Sequence, residues 1–537
     1  MRGEQFTGIR MTSAPSRPAP PTAPLGWIEL GGFLERTGGR VVGQVLTDAK
    51  VRRYEAEYLS RSVSNDVIRV SLRNGRGDTL ETPKRIPIGR AVVAFFGLYS
   101  GDGSKGSEDP SNLGRITGSI SFSQSEPNLV LFAVRQFRGL FGNQIRFSFS
   151  LGEDSAYFMA GTGLQDLMRE YGGGLPQSRP LAEVRPELNE ADHRYLQESR
   201  NVEWSNEKCL AFYYQHKEAM QKILTGQKSA ELAAAGVSLG PGDKVEASLR
   251  RPFKKGAREP GGSSRADELR VGGLSGFLEL FLKIMHEIEA SIVSDSQDSP
   301  QGLVHWEGRP SAIGEAVSLN EFFSVNSFGA IAGERPELGE AGAFLSGTWP
   351  RSREQALRPT LTLGPLFSYA SGLYLAEGAS PKSELFRMYS SRPKGFALEF
   401  TSSEDLSLRI MLEALRQVFP PDDVLAAWKI KVGSQYFPEL VQLGMKHGVP
   451  MLRGGASGDG KLRTMEISLA LKAWALTVCP SLVPFAGRYS HVEPTGAGVA
   501  RVHFWASSAL CRWFFPLMMY TVFGEEGRPP ESLFSHD

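Results

Sequence analysis

Histidine and cysteine are scarce in this chain: eight and three respectively among 537 residues. Cys209, Cys479 and Cys511 stand too far apart for a zinc spacing or a disulfide framework, so an intracellular, reducing compartment is the expectation. No two histidines form an H-x-x-x-H pair, which leaves a zinc centre without support. Charge of one sign is missing too. Sixty Lys and Arg against 59 Asp and Glu leave a net charge of +1, so there is no global pull toward nucleic acid and any such binding must come from local patches. The N-terminus has no apolar core of signal-peptide length; "SAPSRPAPPTAPLG" reads as part of a disordered leader over residues 1–25. The two most apolar stretches, Ile467–Ala486 and Val502–Gly524, are interrupted by Lys472, Pro480 and Pro484, and by Arg512 and Pro516. We read them as buried elements and expect no membrane span.

What the chain does have is a repeat. "FFGLYSGDGS" near position 100 has a counterpart in "YASGLYLAEGAS" at 369–380. Aligned, Gly97-Leu98-Tyr99-x-Gly101-Asp102-Gly103 faces Gly372-Leu373-Tyr374-x-Ala376-Glu377-Gly378. The likeness continues downstream, where "ISFSQSEPNLVLF" matches "LEFTSSEDLSLRI" in order: a strand, Ser-Glu, then a helix. One matched heptapeptide is cheap, but a match with the same downstream order is not.

Local patterns give each copy its elements. Residues 88–101 are apolar and small, hence a helix stopped at Asp102-Gly103. Residues 114–124 alternate: Arg115, Thr117, Ser119, Ser121 and Ser123 on one face, Ile116, Ile120 and Phe122 on the other. Ser125 caps a helix running to about Phe141, with Pro127 in its first turn. "QIRFSFS" sets Gln144 and Arg146 on a second polar strand face, and "SAYFMAG" reads as a third strand. In the second copy a strand covers 396–401 and a helix 404–419. "AWKIKV" presents Lys429 and Lys431, and "VARVHFW" presents Arg501 and His503.

The leading helices explain their own acids. Small residues recur every four positions, at Gly97 and Gly101 and at Ser368, Gly372 and Ala376. Such a stripe lets two backbones approach closely, and helical glycine costs about 1 kcal/mol against alanine unless packing requires it. Helices crossed along these stripes would bring Asp102 and Glu377 side by side. Two adjacent carboxylates repel unless a cation lies between them. Carboxylate plus helix-end carbonyl oxygens suit Mg2+, or Mn2+ in its place, and such a cation supports phosphodiester hydrolysis. The polar strand faces, with Arg115, Ser119, Gln144, Arg146, Lys429, Lys431, Arg501 and His503, suit the phosphates and base edges of a duplex.

The two heptapeptides resemble the signature of the LAGLIDADG homing endonucleases, in the single-chain form with two copies. The resemblance implies an α+β fold of two pseudosymmetric αββαββα halves, at 85–180 and 356–525. It implies that Asp102 and Glu377 bind the metals and direct cleavage of one DNA strand each. Gly101 and Ala376 would offer backbone carbonyls, and Gly97, Gly101, Gly372 and Ala376 would line the helix interface. It implies a basic residue beside each metal, for which Lys429 and Lys461 are the candidates. A monomer then suffices. The rival expectation is a non-cleaving binder of DNA or RNA, such as a splicing maturase or a regulator; a third is a defence nuclease of broad specificity.

This layout leaves residues 26–84 as an N-terminal region, 181–355 as an inserted helical and loop domain, and 526–537 as a tail. The insertion holds helix-like pieces at 206–224 and 273–293. Its basic loop at 248–265, with Arg250, Arg251, Lys254, Lys255 and Arg258, is either a solvated surface or a phosphate-contacting arm. Two other motifs fail on context. Gly101-x-Gly103-x-x-Gly106 follows a helix rather than the strand that a dinucleotide loop needs. "GASGDGKL" at 455–462 has Leu462 where a phosphate loop needs Ser or Thr. His286, beside Glu287 in "FLKIMHEIEA", reads as a surface or core histidine rather than a ligand.

Overall fold

The computed structural model describes residues 24–47, 50–75, 77–108, 116–124, 127–141, 148–154, 226, 229–230, 233, 244–250, 268–319, 338–339, 342–345, 355–358, 360–377, 398–402, 405–418, 428–433, 491–495, 501–506, 517–518 and 520–522. Its helices include α1 (Leu30–Arg36), α2 (Arg90–Asp102), α3 (Pro127–Phe141), α4 (Leu278–Ser294), α5 (Pro365–Glu377) and α6 (Asp405–Val418). With mixed and antiparallel sheets, the class is α+β. The chain forms two compact units, Met1–Gly118 with Gly276–Asp537, and Ser119–Ser275. Among the described residues no helix is long and apolar enough to cross a membrane.

In the first unit, period-2 patterning builds an N-terminal sheet. Arg40–Thr47, Lys50–Ser62, Val67–Leu72 and Thr79–Pro83 pair antiparallel in chain order. Val41, Val45, Tyr54, Ala56, Tyr58, Ile68, Val70 and Leu80 are buried, the every-second-residue signature of a sheet with one covered face. Helix α4 covers it, with the Tyr58 hydroxyl donating to the Gly276 carbonyl at 2.8 Å and the Tyr58 and Phe277 rings 5.5 Å apart. Strand Gly26–Ile28 lies between Val304–Trp306 and Ile86–Ile88. It thereby ties the segment after α4 to the segment entering α2.

The two helices that carry the repeat are central. In α2, residues Val93 to Ser100 are all buried; in α5, Phe367, Ser368, Tyr369, Ala370, Ser371, Leu373 and Tyr374 are. Helices apolar on every side belong inside a core. Pro365 opens α5, at the position where a missing N–H costs nothing. Phe281 of α4 packs against three rings of α2, with centroids 6.0 Å from Phe95, 5.1 Å from Phe96 and 4.5 Å from Tyr99. Helix α6 adds Ile410, Met411, Ala414, Leu415 and Val418 to the core.

The same unit holds a second four-stranded sheet. Its order is Leu398–Ser402, Arg501–Ala506, Trp428–Gly433, His491–Thr495, with the last pair parallel and the others antiparallel.

The described residues of the second unit include a four-stranded sheet with α3, whose Leu129, Phe132, Ala133, Val134, Phe137, Leu140 and Phe141 are buried. The strand order is Ser119–Gln124, Glu268–Ser275, Ser148–Asp154, Lys244–Arg250, again with only the last pair parallel. Numbered along the chain, both sheets read 1-4-2-3, and in both a helix follows the first strand.

Two sequence boundaries move. Residues 244–250 and 268–275, assigned to an inserted domain, supply two strands of the sheet that Ser119–Gln124 begins. Their own alternation, Val245, Ala247 and Leu249, then Leu269 and Val271, fits a strand. The continuous strand expected over 114–124 divides at Gly118. Ile116–Thr117 pairs with Ser107–Glu108, and Ser119 starts the sheet of the other unit. The leader expected over 1–25 ends earlier, since the Leu25 N–H donates to the Ile88 carbonyl at 2.8 Å and the Leu25 carbonyl accepts the Glu307 N–H at 3.0 Å. Residues 1–23, the helix expected at 206–224, the strand "SAYFMAG" and the 455–462 motif lie outside the described residues.

Candidate functional site

Helices α2 and α5 cross in backbone contact. A methyl group on Gly97 would overlap the Tyr369 carbonyl oxygen and come within 3.0 Å of the Leu373 nitrogen. One on Gly372 would overlap the Ala94 carbonyl oxygen and come within 2.8 Å of the Leu98 nitrogen. The contact is reciprocal: adding 275 to Ala94, Gly97 and Leu98 gives Tyr369, Gly372 and Leu373. That is the pattern of an isologous, two-fold-like interface.

The helices run the same way through the crossing. Arg90, the first residue of α2, bonds Glu315 at 2.9 Å through its Nη1. Glu315 sits opposite Leu363 in an antiparallel pair, and Leu363 lies two residues before α5 begins. The two N-terminal ends are therefore together, and the C-terminal ends leave the crossing on the same side. Asp102 and Glu377 are each five residues past their crossing glycine, about 7.5 Å along the helix.

Neither α2 nor α5 carries a basic residue in its last turn, so the partial negative charge of each helix end is not offset by its own side chains. Gly101, Asp102 and Ala376 are partly exposed. The Gly103 N–H caps the Tyr99 carbonyl at 2.7 Å, and the Tyr99 hydroxyl donates to the Ser104 carbonyl at 2.9 Å, fixing the turn after Asp102. The donor types, carboxylate and peptide oxygen, fit Mg2+ or Mn2+. Among the described residues no group of three or more His, Cys, Asp or Glu could hold a metal ion. The side chain of Glu377 lies outside the described residues.

Of the residues expected to face a duplex, Ser119 is exposed on its strand. Register sets Lys429 opposite His503 and Lys431 opposite Arg501, four positions on one face of a sheet. Arg250 ends its strand. The side chains of these five, and all of Arg115, Gln144, Arg146, Arg251, Lys254, Lys255 and Lys461, lie outside the described residues. Of the four expected interface residues, Gly97 and Gly372 are buried at the crossing, whereas Gly101 and Ala376 sit one turn further on and are partly exposed.

The sequence reading missed a buried polar layer on α4. Glu289, 3% exposed, accepts hydrogen bonds at Oε1 from Ser100 of α2 at 3.1 Å and from the Tyr369 hydroxyl of α5. Lys283 and Glu287 form a buried ion pair at 3.0 Å, and Glu287 also accepts the Gln301 N–H at 2.9 Å. On the sheet side, Tyr54 meets His286 Nδ1 at 3.0 Å. Burial, then Lys105 and Lys283, pushes the imidazole down to about 4. Burial, then Glu289, Glu287 and Glu279, raises the Tyr54 hydroxyl. The phenol is thus the donor and the neutral imidazole the acceptor. A signal for Glu289 existed: it stands four residues after Met285, seven after Leu282 and three before Ile292, on the apolar face of its helix.

No family model, curated protein or solved structure matches this chain.

Proposed function

We propose that the protein is a metal-dependent, site-specific endonuclease for double-stranded DNA, built as two pseudosymmetric LAGLIDADG-like halves. The observation that carries this reading is the reciprocal contact of α2 and α5 at Gly97 and Gly372, with both motif acids downstream on the same side. The shared 1-4-2-3 strand order supports two equivalent halves. The first half then extends through Glu268–Ser275 to α4, rather than ending near residue 180.

Asp102 with the Gly101 carbonyl, and Glu377 with the Ala376 carbonyl, would hold Mg2+ or Mn2+. Such a cation, when bound, supplies an activated water and stabilises a leaving oxygen in phosphodiester hydrolysis. The protein's own contribution is position. Two helices in backbone contact at their crossing carry the acids on the same side, and the partial negative charge of the helix ends favours a cation there. Lys429 and Lys461 are the proposed basic residues beside the metals. Lys429, Lys431, Arg501 and His503 in one half, and Arg115, Ser119, Gln144 and Arg146 in the other, face the duplex. The 248–265 loop, through Arg250, Arg251, Lys254 and Lys255, grips phosphates. One chain carries both halves, so the working form is a monomer.

A random-sequence DNA library incubated with the protein and Mg2+, with and without EDTA, tests this. A defined subset of sequences is cut, only without EDTA, and Asp102→Asn stops cleavage of at least one strand while DNA binding survives. Sequence-selective binding with no cutting would support the non-cleaving reading instead. Normal cutting by Asp102→Asn would remove Asp102 from the mechanism.

A further inference from the structure

Glu289 holds two helices with one atom. Its Oε1 accepts from Ser100, in the last turn of α2 and two residues before Asp102, and from Tyr369, three residues before Gly372 in α5. Ser100 is 2% exposed, Glu289 3% and Tyr369 fully buried. A buried carboxyl group is costly unless its oxygens are hydrogen-bonded, and these two hydroxyls meet that need. Apolar packing at a glycine crossing resists separation but tolerates sliding and rotation. Two hydroxyls converging on one oxygen do not, because each fixes its helix against the same point on α4.

The rest of α4 makes that point rigid. Phe281 is enclosed by Phe95, Phe96 and Tyr99 of α2. The Glu287–Gln301 and Tyr54–His286 hydrogen bonds anchor the helix on its other sides. The repeat does not account for this arrangement. The positions 275 residues from Ser100 and Tyr369 are Leu375 and Ala94, neither of which has a hydroxyl. The clamp is therefore a one-sided addition to a two-fold-like helix pair.

We propose that Glu289 is a positioning residue: its buried carboxylate clamps α2 to α5 beside their crossing and so sets where the motif acids lie. The functional part of this inference rests on the nuclease reading, while the clamp itself does not.

Two readouts on the full-length protein separate these. Tyr369→Phe removes one donor and keeps the ring; Glu289→Ala removes the acceptor. Amide hydrogen exchange at residues 100–103 and 369–373 should rise about tenfold in both variants, with the Lys50–Ser62 and Val67–Leu72 strands unchanged. Affinity for Mn2+ alone should fall about tenfold, as when a group supporting a metal ligand is lost. Should Glu289→Ala fail to fold, Tyr369→Phe, which leaves the core filled, carries the test. Unchanged exchange at 100–103 in folded Tyr369→Phe would overturn the clamp, as would a uniform rise across the whole unit. Local loosening with wild-type Mn2+ affinity in both variants would overturn the positioning role. Local loosening in a protein whose wild type binds no Mn2+ would uphold the clamp and refute the metal reading instead.

Discussion

Gly97 and Gly372 occupy reciprocal places: each leaves room for the backbone carbonyl three residues upstream of the other. In an ordinary helix, alanine for glycine stabilises by about 1 kcal/mol. Here the added methyl meets main chain, which cannot rotate away. Gly97→Ala and Gly372→Ala should each destabilise, by roughly 1–3 kcal/mol as overpacking does, in denaturant unfolding. A gain in stability from either would mean that the helices are not in backbone contact.

His286 makes stability fall in mild acid. Its folded pKa is about 4, below the ordinary value near 6.5. Between these two values the unfolded chain binds more protons, so stability rises with pH across that window and is fully present above it. The loss on going from neutral pH to about pH 4 is on the order of 3 kcal/mol from this group. Unfolding midpoints measured across this range, for wild type and His286→Gln, should differ in slope, with the variant the flatter.

The Lys283–Glu287 pair should be costly to break from one side and cheap to replace from both. Lys283→Met leaves Glu287 buried without its cation, and Glu287→Gln leaves Lys283 buried without its anion. Each should cost roughly 3–5 kcal/mol. The double variant should recover most of that, because glutamine still offers an oxygen to the Gln301 N–H. Additive losses in the thermodynamic cycle would contradict a coupled pair.

Lys429 and Lys431 should act through phosphates. Replacing both with alanine should lower the slope of log affinity against log salt by about 2, one phosphate contact for each lysine. Arg53→Ala, an exposed change on the N-terminal sheet, should leave that slope unaltered. An unchanged slope in the lysine variant would take this sheet face out of the DNA interface.

The helix pair was legible because its signal is local: small residues at spacing four, an apolar run and an acid-glycine stop all fall in α2 and its C-cap, Gly103. The strands at 244–250 and 268–275 were harder to place. The basic, glycine-rich 248–265 segment overlaps the first and directly precedes the second, so composition suggested a loop where Val245, Ala247 and Leu249 alternate. Their partners lie more than 90 residues away in Ser148–Asp154, and nothing in a strand's own pattern names its neighbour. The sequence leaves the polar layer on α4 open, because His286 reads equally as a surface or a core residue and glutamate is rarely buried unless paired. What buries them is tertiary, namely the hydroxyls of Ser100, Tyr369 and Tyr54 brought from three other elements.

The central claim is that the ends of α2 and α5 come together. Asp102→Cys with Glu377→Cys, in a chain whose Cys209, Cys479 and Cys511 are serine, accepts one spin label at each end. Helix spacing of about 8–10 Å and about 7.5 Å of helix beyond the crossing place the labels within about 20 Å of each other. Electron paramagnetic resonance should therefore show strong dipolar broadening, absent from either single-cysteine protein. Doubly labelled, folded protein whose spectrum is the sum of the two single-label spectra would contradict the account.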